Sequence, residues 1–258
     1  MSGLTLLFSF GLYISPGLIA FALLFVLIPK SETALRIVAL IMAFVLMRDA
    51  MTPMGLWLPA SSLMDVGLPA FVLSFHDDPI VLAGLALSSL ALVVIVARGA
   101  PELGRLLVWR RDGMAVGCGV GILAGILLAL PVLVLGGFHT ERFAAHLPWM
   151  IAMFLLAYGG NTLEEILFRG FLQGHLETVT TAVRAAVISG IAFGACHAFL
   201  AFTVTPIGWP ILVFTLAEGL ACAFLRMRYG LFPAILAHGT AIFLIAIPMS
   251  LLWPLSGG

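Results

Sequence analysis

Eight apolar runs, each long enough or nearly long enough to cross a bilayer, occupy most of this sequence. They lie near residues 4–28, 34–58, 79–97, 114–136, 149–168, 185–204, 207–225 and 230–253. A bilayer's hydrocarbon core needs about 20 apolar residues per helix, so 258 residues have room for about eight spans and their loops. Charged residues make up only 9% of the chain, against about 25% in a soluble domain, too few to clothe a folded body in water. The expected fold class is therefore all-α: a polytopic membrane helix bundle of about eight transmembrane helices. The second run is interrupted by Arg48, Asp49 and Pro53, and residues 59–76 could form a short interfacial or re-entrant helix.

Net charge is zero, with 12 basic against 12 acidic residues, and gives no electrostatic reason to expect nucleic acid as a partner. The placement of charge is more informative. In an eight-span count, one side receives Lys30, Arg36, Arg98, Arg105, Arg110, Arg111, Arg169, Arg184, Arg226 and Arg228, and the other only Arg48 and Arg142. The positive-inside rule puts the basic side in the cytoplasm and both termini outside. The first run has no Lys or Arg before Lys30 and reads as a retained span rather than a signal peptide. Localisation is accordingly expected in a membrane, the plasma membrane, with lipid as the surrounding partner. Cys118, Cys196 and Cys222 lack the paired spacing of a zinc or redox motif and read as small hydrophobes.

An ionisable side chain within a span is expensive and so marks a candidate site. The survivors of that filter are Asn161, Glu164, Glu165 and Arg169 together, then His197, Glu218 and His238. Glu165 precedes Arg169 by four residues, which on a helix stacks the two on one face in the favourable order. Glu164 is rotated by about 100° toward a different neighbour, and a carboxylate without a salt-bridge partner suits a general base. Both glutamates could alternatively sit at a helix end and meet water. His197 lies inside an apolar span, and His238 is flanked by small residues that admit a neighbouring helix. Two histidines and a carboxylate on three helices are ingredients for activating water. The same set could hold zinc with an open position for water. Its spacing follows no zinc motif, and direct activation without a cofactor is the expectation.

Other intramembrane chemistries find less support. The chain has no H-E-x-x-H zincin motif and no Gly-Asp pair, and Ser189 lacks the Gly-x-Ser-Gly loop of rhomboid-type serine proteases.

Three ordered motifs resemble the CAAX-protease and bacteriocin-processing family of intramembrane proteases, the Abi or Ras-converting-enzyme type. They are Glu164-Glu165-x-x-x-Arg169 followed by Gly170-Phe171-Leu172-Gln173, then Phe193-x-x-x-His197, then Tyr229-Gly230-Leu231-Phe232-Pro233-Ala234-Ile235-Leu236-Ala237-His238. The resemblance divides one integral membrane domain into N-terminal helices at 1–148, a protease core at 149–245 and a last-span remainder at 246–258. It implies Glu164 as the base activating water, helped by His197, with His238 stabilising the oxyanion and Glu165 and Arg169 shaping the first motif. The implied substrate is a peptide or protein, prenylated or a bacteriocin-like precursor, cut near the cytoplasmic surface. The family often carries an asparagine four residues after the last histidine; here that residue is Ile242. Asn161, the sole asparagine, or Thr240 or a backbone N–H is the candidate replacement donor. Rival readings are a catalytically degenerate binding or immunity protein, and a transporter whose carboxylates and histidines relay protons.

Overall fold

The computed structural model describes residues 2–58, 74–136, 147–198 and 209–252, and within them the chain is almost wholly helical. The eight long helices are α1 (Gly3–Leu27), α2 (Thr33–Asp49), α3 (Pro79–Gly99), α4 (Met114–Gly136), α5 (Leu147–Val179), α6 (Ala182–Cys196), α7 (Trp209–Tyr229) and α8 (Leu231–Leu252). Each of the eight apolar runs has its helix. Five are long and apolar enough to cross a membrane by length and composition, and α1, α3 and α4 bury little of themselves, leaving apolar side chains such as Phe8, Leu12, Leu87, Ile95 and Leu123 exposed. Lipid is the solvent that makes such a surface stable. The side chains that face inward are different in kind, and the polar ones are concentrated on α5 to α8.

Three boundaries differ from the hydropathy reading, each for a physical reason. Helix α2 stops at Asp49 rather than continuing to residue 58, and a tight turn follows in which Leu56 N–H donates to Met51 C=O at 3.0 Å and Gly55 takes a positive φ of 69°. A two-residue antiparallel pairing, β1 (Trp57–Leu58) with β2 (Ser74–Phe75), then brings the chain back to where it left. Asp49 and Pro79 therefore stand at the same end of the bundle. The possible interfacial helix at 59–76 falls almost wholly on residues 59–73, outside the described residues.

Helix α5 runs on to Val179 instead of ending near 168, a length of about 50 Å for its 33 residues. Hydropathy ends the span at the first charges, but these charges are satisfied within the protein. Gln173 Nε2 donates to Ala223 C=O at 3.0 Å, and Glu177 pairs with Arg226 and, at 3.4 Å, with Arg111. Helix α6 ends at Cys196, so His197 caps a helix rather than lying deep within one; residues 199–204 of the expected span lie outside the described residues.

The basic ends of the helices interlock. Arg36 pairs with Glu102, Arg226 Nη2 donates to Leu106 C=O at 3.3 Å, and Leu231 N–H and Phe232 N–H donate to Val108 and Trp109 C=O. These contacts gather Arg36, Arg111 and Arg226 at one end, as the alternation of spans requires. At the other end Trp149 Nε1 donates to His76 C=O at 3.1 Å.

Glycines set how closely the helices approach. On α4, Gly117, Gly121 and Gly125 form a row at four-residue spacing, the first against Tyr229 at the end of α7 and the other two against α8. A Cβ at Gly121 would lie 2.4 Å from Pro233 O, and one at Gly125 would lie 2.5 Å from Ala237 O. Small residues at this spacing let helix backbones meet in a membrane. Helices α6 and α7 do the same through Gly190 and Gly219, where a Cβ on Gly219 would lie 2.6 Å from Gly190 O. The two rows fix α8 and α7, the carriers of His238 and Glu218.

Candidate active site

Helix α5 does not keep an α-helical hydrogen-bond ladder through its middle. Two π-helical segments, Leu156–Gly160 and Ile166–Leu172, flank the five α-helical residues Asn161–Glu165. Widened turns of this kind loosen the i→i−4 pattern and recur at functional sites. They also release backbone carbonyls, and side chains collect them. Thr162 Oγ1 donates to Tyr158 C=O at 2.7 Å, and Ser189 Oγ donates to Phe168 C=O at 2.8 Å. Ser189 is thus committed to holding α5 against α6, consistent with the weak case for a serine nucleophile.

Both glutamates of the first motif are buried, Glu164 at 3% exposure and Glu165 at 0%, so neither meets bulk water at a helix end. Glu165 Oε1 lies 2.9 Å from Arg169 Nη1 on the same face and 2.8 Å from His238 Nδ1 on α8. Arg169 Nη2 also donates to Gly219 C=O at 3.2 Å, tying α5 to α7. The expected pairing of Glu165 with Arg169 is present, and Glu165 also orients the last histidine.

Glu164 is not without a cation, contrary to the expectation for an unpaired base. Arg48 Nη2, in the last turn of α2, lies 2.5 Å from Glu164 Oε1. Phe44, one turn back on α2, supports that guanidinium with its ring 5.3 Å away. Reading Arg48 as an outer-loop charge missed this contact; the available signal was a single arginine embedded in an otherwise apolar run. The other oxygen, Glu164 Oε2, faces the two histidines, 3.3 Å from His197 Nε2 and 4.0 Å from His238 Nε2. Glu164, His197 and His238 therefore converge on one point.

The histidine tautomers follow from their far-side partners. His197 Nδ1 lies 2.8 Å from Phe193 C=O, and a carbonyl only accepts, so Nδ1 carries the hydrogen. His197 Nε2 is thereby turned toward Glu164 Oε2, 3.3 Å away. His238 Nδ1 likewise faces a carboxylate, Glu165, held by Arg169. Histidines held at one nitrogen in this way aim the other with little freedom. Phe193 explains why the second motif needs an aromatic. Its ring stacks at 4.2 Å on His197, meets His238 edge-on at 5.6 Å and has the Arg169 guanidinium 4.0 Å above it.

The remaining expected residues divide. Asn161 is buried one turn before Glu164, and its amide nitrogen has no hydrogen-bond partner among the described residues. Thr240 bonds at 2.9 Å to Tyr158 Oη, on the side of α8 turned about 200° from His238. Ile242 packs into the apolar core. Glu218 on α7, whose role the sequence left open, is buried with Oε2 3.7 Å from His238 Nε2. Among the described residues no group of three or more His, Cys, Asp or Glu side chains has the geometry to hold a metal ion. Cys118 and Cys196 are half-buried, and Cys222 is buried; all three are free thiols.

Residues 144–244 match the family model described as type II CAAX prenyl endopeptidase, Rce1-like. The matched stretch contains all three motifs and every side chain of the site except Arg48. No curated protein and no solved structure matches the chain.

Proposed function

We propose that this chain, whose residues 144–244 match the Rce1-like family of CAAX prenyl endopeptidases, is an intramembrane endopeptidase in which Glu164 activates water inside the bundle. The observation that carries the reading is the convergence of Glu164 Oε2 with two histidine nitrogens whose other nitrogens are already committed. The 3.3 Å between Glu164 Oε2 and His197 Nε2 leaves no room for a water in line, so the attacking water sits to one side of the pair, where it gives a hydrogen to the carboxylate and is positioned by the imidazole. Glu164 removes a proton as the water oxygen attacks the peptide carbonyl, and the same proton passes to the departing nitrogen when the C–N bond breaks. The negative charge that gathers on the carbonyl oxygen needs donors, which His238 Nε2–H and the unpartnered Asn161 amide supply. Glu165 and Arg169 hold His238 and α7 in place rather than meeting the substrate.

The reading uses direct activation by Glu and His without a metal. Stoichiometric zinc retained by chelator-washed, active protein, with activity lost on stronger chelation, would overturn that part of it. The substrate class follows from the family: a membrane-bound protein with a prenylated C-terminal CAAX sequence, or another membrane-associated peptide presented at the basic, cytoplasmic end of a plasma-membrane enzyme.

The test is mass spectrometry of a farnesylated CAAX peptide and an unprenylated peptide panel incubated with purified protein in lipid nanodiscs. Cleavage lost in E164Q and H197A is expected. Cleavage unchanged in both variants contradicts the assignment, and no cleavage of any peptide by the native protein favours a binding or immunity protein.

A further inference from the structure

The proposed chemistry asks His238 to donate a hydrogen bond from Nε2, yet its Nδ1 already donates to Glu165 Oε1 at 2.8 Å. A neutral imidazole has one hydrogen, not two. For both nitrogens to donate, His238 must be an imidazolium, and a lone cation in a core of this kind is expensive unless a carboxylate faces it. Glu165 cannot be that group by itself, because Arg169 neutralises it. Arg48 does the same for Glu164.

One carboxylate of the cluster remains. Glu218 sits on α7, 1% exposed, with Oε2 3.7 Å from His238 Nε2 and Oε1 without a hydrogen-bond partner among the described residues. The groups that act on it are Glu164 and Arg169 from α5, His197 from the end of α6, His238 from α8 and, one turn along α7, Cys222; Arg48 from α2 and Glu165 join the cluster through Glu164, and through Arg169 and His238. Three carboxylates face two guanidinium groups in this buried cluster, so one further positive charge makes it neutral. The geometry assigns that charge to His238, and we infer that Glu218 is the positioning residue that keeps His238 doubly protonated and so able to hold the oxyanion. This rests on the endopeptidase reading for its purpose but not for its measurement. It also gives a reason for Glu218 where the three motifs give none: Ile242 supplies no amide beside His238, which leaves more of the oxyanion to the histidine itself.

The direct measurement is the nitrogen-15 NMR spectrum of histidine-labelled protein in nanodiscs at neutral pH, with the His238 signals assigned by H238N. Both His238 nitrogens protonated in the native protein, and Nε2 deprotonated in E218Q, is the expected result. A native His238 with a bare Nε2 overturns the inference even if E218Q fails to fold, and so does a doubly protonated His238 in folded E218Q. In cleavage assays E218Q should lose about 100- to 1000-fold in kcat with KM little changed, the cost of one oxyanion donor, and E218D should recover part of it. A folded E218Q within about twofold of native kcat also overturns it. The spectrum does not depend on turnover, so loss of the protease reading through an unaffected E164Q leaves the His238 result standing on its own.

Discussion

Helices α1 and α5 are both apolar enough to cross a membrane, yet 11% of the most apolar stretch of α1 is buried against 67% of that of α5. Helix α1 spends its side chains on lipid and keeps only Gly3, Leu6, Phe10 and Ile14 inward. Helix α5 is enclosed by other helices, and that enclosure lets it carry Asn161, Glu164, Glu165, Arg169 and Gln173 with each charge answered by a partner. Two helices that can each cross a bilayer thus have opposite tolerance for polarity, decided by what surrounds them. Arg48 crosses the division: it belongs to the N-terminal half, outside the family match, but its charge is spent on Glu164.

The comparison breaks most visibly if a buried charge on α5 can be removed without consequence. E165Q strips the partner from Arg169 and from His238 Nδ1, and loss of one member of a buried pair costs about 3–5 kcal/mol. Loss of most folded protein, read as monodisperse yield after detergent extraction, is expected. R48M should be nearly as damaging because it leaves Glu164 uncompensated, and R48M/E164Q should regain thermal stability over R48M while remaining inactive. A double variant no more stable than R48M would detach α2 from the site.

Smaller effects test the packing that delivers the site. G121A or G125A on α4 pushes against the α8 backbone and should cost about 1–3 kcal/mol in thermal unfolding, with cleavage falling further than stability because His238 rides on that helix. Exchanges such as L12A on the exposed face of α1 should change stability by less than about 0.5 kcal/mol. A large effect there would mean that α1 is covered by something other than lipid.

The sequence announced the bundle through its apolar runs because lipid penalises every other arrangement, and eight long helices stand where eight runs lie. It announced Glu164, Glu165, Arg169, His197 and His238 for the same reason, as charges and imidazoles that lipid would not tolerate idle. What it hid depends on pairing between distant segments. Arg48 and Glu164 are 116 residues apart, and although an arginine inside an apolar run signals that it has a partner, nothing local says which carboxylate that partner is. Span ends were hidden similarly: Gln173 and Glu177 look like the edge of the membrane but are satisfied by α7. The π-helical turns that flank Asn161–Glu165 have no composition of their own, since widening a turn changes which carbonyl is reached, not which residue supplies it.

The central claim is that one oxygen of Glu164, aimed between two histidines, takes the proton of the attacking water. Its most direct test is the single-turnover cleavage rate of a farnesylated CAAX peptide by native protein and E164Q, both shown folded by the same melting profile in nanodiscs. The rate should fall about 100- to 10,000-fold in E164Q, the range for loss of a general base. A folded E164Q that cleaves within about twofold of native would contradict the claim.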